Sequence, residues 1–246
     1  MATKTFFLYG APGSGKTTMA CTAPKPLLII DADCKALEMH NLSRDYKFDS
    51  DGITIKELDI PFSPGSLKEQ LLGKKSAPTT MPMGYLQFVD IISELEDECP
   101  YKTVVIDSLT MLNEHLKRYF LFATKKSQLA FDGWEFTQSA YCDLFKAIKK
   151  IKGVENFILI AHERMVKVKE GEQVVGTVIR PLIESSMKDK FGIFFNEIYY
   201  CSCTENNNVL SFKVRTMPDE EHIARTSMPL NCIEEPDFIK ILAKLK

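Results

Sequence analysis

Four short runs of consecutive apolar residues mark the chain up to about residue 161. Such continuous runs are typical of strands that are buried on both faces of a parallel sheet. The runs are Phe6–Tyr9, Leu27–Ile30, Thr103–Ile106 and Phe157–Ala161. Two stretches between them, 85–95 and 141–151, repeat apolar residues every three or four positions, which predicts amphipathic helices. The order of these elements predicts a core of alternating strands and helices.

Beyond residue 163, the chain alternates strand-like runs with turn residues. The paired runs are 165–169 with 173–179 and 197–204 with 209–215. They predict two antiparallel hairpins that convert the parallel core into a mixed sheet. A closing helix is expected at 236–245. The segments 59–82 and 123–133 carry the least pattern, and segment 59–82 is either a lid or a disordered loop.

The sequence that follows the first apolar run matches G-x-x-x-x-G-K-[ST], the pattern of a phosphate-binding P-loop. The predicted nucleotide-binding residues are Gly10, Ala11, Pro12, Gly13, Ser14, Gly15, Lys16, Thr17 and Thr18. A strand, a glycine loop and a helix start let backbone N–H groups and the helix dipole hold phosphate. Lys16 is expected to reach the β- and γ-phosphates, and Thr17 to hold Mg²⁺. The motif predicts binding of a nucleoside triphosphate.

The other apolar runs end in polar residues that complete this kind of site. Asp107 ends the third run and is expected to hold Mg²⁺ through water. The second run ends in two acids, Asp31 and Asp33, and Asp33 is a candidate for polarising the attacking water. Alternatively, either acid caps a helix around Lys35–Met39. His162 ends the fourth run, either as a sensor of the γ-phosphate or as a strand-end histidine with satisfied hydrogen bonds.

The amino-acid composition limits the classes of protein that the sequence is compatible with. The 246 residues are 45% hydrophobic, which suits one large domain over residues 1–246. A net charge of −2 excludes a global basic field, so any nucleic-acid site must be local. Seven cysteines without regular spacing indicate a reducing compartment. With no expected signal peptide and no apolar run of roughly 20 residues, a soluble, cytoplasmic protein without membrane contact is predicted.

Three groups of residues carry a resemblance to a known family. Ile30-Asp31-Ala32-Asp33, followed by Ala36-Leu37-Glu38, resembles the core of RecA-type recombinases, where this strand ends in Asp-Ala-Glu with Ala-Leu-Asp downstream. Asp107 followed by Ser108 fits the same core. Ala161-His162-Glu163 is similar to the Ala-His-Glu found in small phage-encoded nucleotide-binding proteins of this class. Those proteins are single-domain ATPases associated with single-strand annealing and recombination.

The resemblance implies an α/β, RecA-like P-loop fold. Three layers, αβα, would enclose a mixed, mainly parallel sheet with appended antiparallel hairpins. It also implies ATP and Mg²⁺ as ligands and catalytic roles for four residues. These are Lys16, Asp33, Asp107 and His162, with Thr17 and Asp107 at the metal. Recombinases carry Glu where this chain has Asp33, so the shorter side chain predicts a slow, switch-like ATPase.

Other P-loop classes fit less well. The chain lacks the Asn-Lys-x-Asp motif of GTPases and the Leu-Ser-Gly-Gly-Gln motif of transporter ATPases. Asp107 is not followed by a Glu, which is a poor fit to the AAA+ pattern. Nucleoside and shikimate kinases carry an arginine-rich lid, whereas lysines are the basic residues of segment 59–82.

In RecA-like proteins, DNA runs along loops that follow the third and fourth core strands. Basic and aromatic residues occur together in the first of these regions: Lys117, Arg118, Lys125 and Lys126 with Phe120, Phe122, Phe131 and Trp134. The hairpin after His162 adds Arg164, Lys167, Lys169 and Arg180. These residues suit a single-stranded DNA partner. In the alternative interpretation, Phe120 and Phe122 are core residues beside a solvated charged face.

RecA-core ATPases place the nucleotide between subunits, which implies a homo-oligomer. Arg215 or Arg225 would then reach a neighbour's γ-phosphate in trans, or either is a surface arginine. The resulting expectation is a phage-encoded ATPase in the host cytoplasm, stimulated by single-stranded DNA and promoting annealing. Two alternatives remain open: a nucleotide-gated protein-binding scaffold with little hydrolysis, and a small-molecule kinase.

Overall fold

The computed structural model describes residues 3–36, 51–59, 81–183, 187 and 190–244. The strands are β1 Lys4–Gly10, β2 Leu27–Asp31, β3 Ile53–Glu57, β4 Thr103–Asp107, β5 Asn156–Glu170, β6 Gln173–Pro181, β7 Glu197–Asn206, β8 Val209–Arg215 and β9 Ile233–Glu234. The helices are α1 Lys16–Cys21, α2 Met83–Asp97, α3 Leu109–Thr124, α4 Phe131–Ile148 and α5 Phe238–Ala243, with a 3₁₀ turn at Phe191–Ile193. Most of segment 59–82, and residues 37–39 of the helix expected around Lys35–Met39, lie outside the described residues.

The strands of the described ranges form one mixed sheet in the order β3-β2-β4-β5-β1-β7-β8-β9. The six strands from β3 to β7 in this order pair in parallel. Strands β8 and β9 extend the sheet beyond β7 by antiparallel pairing. Strand β6 pairs antiparallel with the second half of β5 and is not part of this strand order. The mixed, mainly parallel sheet and both predicted hairpins are confirmed. Because β5 lies between β1 and β4, the carboxyl end of β1 is beside His162 of β5 and one strand away from the end of β4.

Both faces of the sheet are covered, which explains the continuous apolar runs. On one face, Phe7 and Tyr9 of β1 belong to a core with residues of α2, α3 and α4. On the other face, Phe6 and Leu8 pack with residues of α1 and α5. Successive strand residues alternate between the two cores because the side-chain period of a strand is two. The result is the predicted three-layer αβα arrangement.

Strand β5 differs from its prediction. The runs 157–161 and 165–169, expected as two strands, form one continuous strand. Its first half lies in parallel between β1 and β4, up to the pairing of His162 with Gly10. Its second half leaves the parallel sheet and pairs with β6, with an irregularity after Val168. His162 is therefore at the carboxyl edge of the parallel core but in the middle of its own strand.

The loop expected at 123–133 is much shorter. Helix α3 continues to Thr124 and ends at Lys125, whose φ is +55°, and α4 already begins at Phe131. Gly133 lies inside α4, where a Cβ would come 2.5 Å from Cδ2 of Leu129. A glycine that suggested a loop serves instead to let neighbouring residues approach closely. In the described ranges, no helix combines the length and apolar character that a membrane span needs.

Candidate nucleotide site

The glycine loop joins β1 to α1 at the carboxyl edge of the sheet. Gly10 lies so close to β7 that a Cβ would be 2.2 Å from the carbonyl oxygen of Cys201. Gly15 takes φ +84° directly before α1, a conformation that other residues adopt at a cost. These two glycines keep the loop short and direct the N-terminus of α1 toward the cavity.

Lys16 is 6% exposed and folds back across the loop. Its Nζ donates hydrogen bonds to the carbonyl oxygens of Gly10 (3.0 Å) and Ala11 (2.7 Å), and lies 3.4 Å from Oγ of Ser14. Burial lowers the pKa of Lys16, and the neighbouring Cys201 and Asp107 oppose that shift. Carbonyl oxygens are weak partners for a buried ammonium, so an anion in the cavity would be a better one.

Thr17 and Asp107 meet across the site. The Thr17 hydroxyl donates to Oδ2 of Asp107 at 2.5 Å, and Asp107 is 8% exposed at the end of β4. Burial raises the pKa of Asp107 to about 6, although the Thr17 hydrogen bond and Lys16 oppose the shift. A hydroxyl and a buried carboxylate are the hard oxygen donors that Mg²⁺ prefers. Because a cation would relieve the cost of burying this carboxylate, the pair fits the metal.

Asp33 connects two other elements of the site. Its Oδ1 accepts hydrogen bonds from the Ser108 hydroxyl (2.7 Å) and backbone N–H (3.3 Å). Its Oδ2 lies 3.3 Å from Nε2 of His162, which must carry the proton to donate to a carboxylate. Burial alone would raise the pKa of Asp33, but the hydrogen bonds from His162 and Ser108 outweigh it, and the pKa is lowered. Asp33 is thus held as an anion.

Asp31 accepts hydrogen bonds from the backbone of the residues that follow it, which is what the capping alternative for these acids expects. Its Oδ2 accepts from the backbone N–H groups of Lys35 (2.7 Å) and Ala36 (2.6 Å), and Oδ1 accepts from that of Asp33 (3.1 Å). Burial raises its pKa, while these backbone hydrogen bonds oppose the shift. Asp31 therefore shapes the turn that presents Asp33.

These side chains surround one cavity of about 240 Å³. Its lining includes Pro12, Gly13, Gly15, Lys16, Thr17, Thr18, Asp31, Asp33, Lys35, Ala36, Asp107, His162 and Phe212. Gly10, Ala11 and Ser14 lie behind this lining, where they bind Lys16 through carbonyl or hydroxyl oxygens. Phe212 was missed because only the pairing of β8 with β7, and of β7 with β1, brings it beside the loop.

The residues predicted for DNA and for trans contacts lie elsewhere. Arg215 forms an ion pair with Asp219 at 3.1 Å, and Arg225 lines a different cavity. Phe120 is 7% exposed in the protein, as the core interpretation expects, whereas Phe131 is 76% exposed. Lys117 lies 5.6 Å above the ring of Trp134. Sequence alone could not distinguish the buried Phe120 from the exposed Phe131, because both fall within the same basic and aromatic segment.

Comparisons with known proteins give a family match and a structural likeness. A family model described as "AAA domain" matches residues 2–228. A KaiC-like protein from Pyrococcus horikoshii is similar in structure, with a TM-score of 0.50, 16% identity, and coverage of 92% of this chain and 83% of that chain. The flagellar accessory protein FlaH from Methanocaldococcus jannaschii gives a TM-score of 0.42, 10% identity, and coverage of 95% and 89%. A search of curated proteins finds no match.

The family match corrects one expectation. The absence of a Glu after Asp107 does not separate the chain from AAA domains. Ser108, which occupies that position, donates its hydroxyl hydrogen bond to Asp33. An acidic side chain therefore still lies beside the tip of β4, and it comes from the end of β2. The similarity to the KaiC-like protein confirms the RecA-like three-layer fold.

Proposed function

The chain belongs to the AAA domain family of P-loop ATPases, and from this premise we propose that it binds ATP with Mg²⁺ and hydrolyses it while acting on single-stranded DNA. The observation that carries the proposal is the convergence of Lys16, Thr17, Asp107, Asp33 and His162 on one cavity. Annealing or recombination in a phage-infected host cytoplasm, by a single-domain subunit, is the setting we infer from the resemblance to recombination ATPases.

Each side chain has a distinct task in this proposal. The Lys16 ammonium would leave its carbonyl partners to neutralise the β- and γ-phosphates. Thr17 and Asp107 would hold Mg²⁺, which when bound neutralises charge on the phosphate oxygens. Asp33, kept anionic by Ser108 and His162, would orient the attacking water. Nδ1 of His162 is buried and has no hydrogen-bond partner in the described part of the chain. To donate to a γ-phosphate, the ring would need a proton on both nitrogens and would turn toward the cavity.

The hydrogen bonds of Asp33 support slow hydrolysis. Both carboxylate oxygens already accept hydrogen bonds, so water competes with His162 or Ser108 for them. Release of His162 toward the γ-phosphate would free Oδ2. The same observation favours a second candidate function, a nucleotide-gated scaffold that binds a protein partner and hydrolyses little. If Asp33 stays hydrogen-bonded, it does not orient water, and bound ATP would act as a switch and not as a substrate.

The DNA part of the proposal relies on β5. This strand carries His162 at the nucleotide site and continues into the β5–β6 hairpin, where Lys167 and Lys169 follow. An ordered γ-phosphate contact at His162 would thus reposition basic side chains on the same strand. Homo-oligomers with Arg215 or Arg225 acting in trans also belong to the proposal, since both arginines lie outside their own subunit's nucleotide cavity.

ATP turnover measured with and without single-stranded DNA separates these functions. Strong stimulation by DNA in the wild type, lost in Lys16→Ala, is the expected result. An absence of DNA binding at low salt, with and without ATP, would exclude the recombination role. Tight ATP binding with negligible turnover and no DNA binding would instead support the scaffold. Transfer of phosphate to an added metabolite would identify a small-molecule kinase.

A further inference from the structure

A second cavity, of about 560 Å³, lies beside the β5–β6 hairpin and shares no lining residue with the nucleotide cavity. Three arginines line it: Arg164 of β5, Arg180 of β6 and Arg225. Most of its other lining is apolar, namely Val166, Val178, Pro181, Ile183, Phe191, Ile198, Ile223 and Ala224, with Gly192. We call it the arginine cavity. Its size is within the range of small-ligand sites.

The three arginines have the arrangement expected of an anion-binding site. Arg164 and Arg180 are paired directly across the β5–β6 ladder, where opposed like charges destabilise a sheet. Among the residues that the structure describes, Arg164, Arg180 and Arg225 form no ion pair within 4 Å. In the same described part of the chain, Nε of Arg164 is buried and has no hydrogen-bond partner. Neighbouring guanidinium groups that find no carboxylate among these residues favour a ligand that supplies negative charge.

Backbone contacts fix two of these side chains. One terminal nitrogen of Arg180 donates to the carbonyl oxygens of Ile179 and Glu221, both at 2.8 Å. One terminal nitrogen of Arg225 donates to the carbonyl oxygen of Gly192 at 3.4 Å. Each guanidinium has five N–H donors, so these contacts leave several donors for a ligand. Arginines oriented in this way lose little entropy on binding, which favours recognition of planar or tetrahedral oxyanions.

We propose that the arginine cavity is a second phosphate site, which takes a ligand of nucleotide size through its phosphate and packs the rest of it against apolar walls. Guanidinium groups bind phosphate oxygens through paired N–H donors. The Val166, Val178 and Phe191 side chains offer surface to a sugar and base. The phosphate belongs either to a free nucleotide or to one nucleotide of a single strand. Because Arg225 would bind this ligand within its own subunit, Arg215 is the arginine that remains for a contact with the γ-phosphate of a neighbouring subunit.

Calorimetry on the full chain with Lys16→Ala tests the proposal, since that change weakens phosphate binding at the P-loop. The probes are inorganic phosphate, thymidine monophosphate and an oligothymidylate. Binding is expected to weaken at least about tenfold in each of Arg164→Gln, Arg180→Gln and Arg225→Gln. Lys150→Gln, a change of equal charge at an exposed position just beyond α4 and outside the lining of both cavities, is the control and is expected to bind as the parent does.

The outcomes separate the sources of phosphate. Binding of thymidine monophosphate identifies a free-nucleotide site, and binding of oligothymidylate alone identifies a strand site. The proposal is overturned if the parent binds none of the probes or if the three arginine variants bind as tightly as it does. Melting temperatures without ligand control for folding: Arg164→Gln is expected to melt no lower than the parent, because it removes a repulsive pair.

Discussion

Nε2 of His162 lies 3.3 Å from Oδ2 of Asp33, although 129 positions separate the two residues in the chain. Asp33 follows β2 and His162 lies in β5, with β4 between these strands. Ser108 at the end of β4 donates to the other oxygen of Asp33. Three successive parallel strands therefore contribute to one hydrogen-bonded group, which only their common carboxyl edge brings together.

Replacing His162 with Ala removes the side-chain donor to Asp33. We expect the pKa of Asp33 to rise, since this hydrogen bond helps to lower it. If ATPase activity requires ionised Asp33, the variant will lose activity on acidification at a higher pH than the wild type does. The measurement is the pH profile of kcat for both proteins. An unchanged acidic limb would show that His162 does not control the ionisation of Asp33.

Asp33 itself is tested by two changes. Asp33→Asn keeps the shape of the side chain but loses its charge, so kcat is expected to fall about 100-fold with little change in KM. Asp33→Glu is expected to raise kcat, because a longer carboxylate reaches past its hydrogen-bond donors toward the attacking water. Steady-state kinetics with ATP decide this. Unaltered turnover in Asp33→Ala would exclude the role in positioning water.

Asp107 predicts a pH-dependent stability in the absence of Mg²⁺ and nucleotide. Its pKa in the folded protein is about 6, against an ordinary value of 3.8, so the folded state binds more protons between these values. Stability due to Asp107 is therefore full below about pH 4 and is lost as the pH rises to about 6. A shift of this size corresponds to about 3 kcal/mol.

The test compares the wild type with Asp107→Asn by denaturant unfolding across this pH range. The variant's free energy of unfolding, relative to the wild type, is expected to increase from about pH 4 to about pH 6 and then to level off. Mg²⁺ with nucleotide is expected to stabilise only the wild type, because the cation pairs with the carboxylate. A difference that does not vary with pH would contradict the assignment.

Sequence patterns predicted much of this architecture because each rested on a local physical requirement. The Gly10–Thr17 loop and the tip of β4 at Asp107 follow from short motifs, and two-sided burial follows from runs such as Phe157–Ala161. The partners of Asp33 could not be predicted, since they depend on which strands are neighbours. The hydrogen bonds of Asp31 are local, but the sequence offers two acids, Asp31 and Asp33, for the same turn.

Long-range pairing also explains what the patterns missed. Phe212 is in a hairpin strand whose sequence shows no nucleotide motif, yet β8 places its ring against the P-loop. The directly opposed Arg164 and Arg180 were visible only as two basic residues in one hairpin until the register of β5 and β6 paired them. Strand order and register are set by the packing of the whole sheet rather than by local sequence.

The contact between Gly15 and Phe212 gives a final prediction. A Cβ on Gly15 would lie 3.0 Å from Cδ1 of Phe212, and Gly15 also has φ +84°. Gly15→Ala is therefore expected to suffer backbone strain of about 1–2 kcal/mol together with displacement of the Phe212 ring. Gly13→Ala is the matched control, because Gly13 has φ +77° but a Cβ there meets nothing within 4 Å.

Each glycine variant is combined with Phe212→Ala in a double-mutant cycle. The free energy of unfolding in denaturant and the affinity for ATP are measured for every member of the cycle. Phe212→Ala is expected to recover part of the loss in Gly15→Ala, because it removes the ring but leaves the strained φ. It is expected to be additive with Gly13→Ala, since that site does not touch the ring. Coupling in the Gly13 cycle equal to that in the Gly15 cycle would show that Phe212 acts on the loop as a whole rather than through this contact.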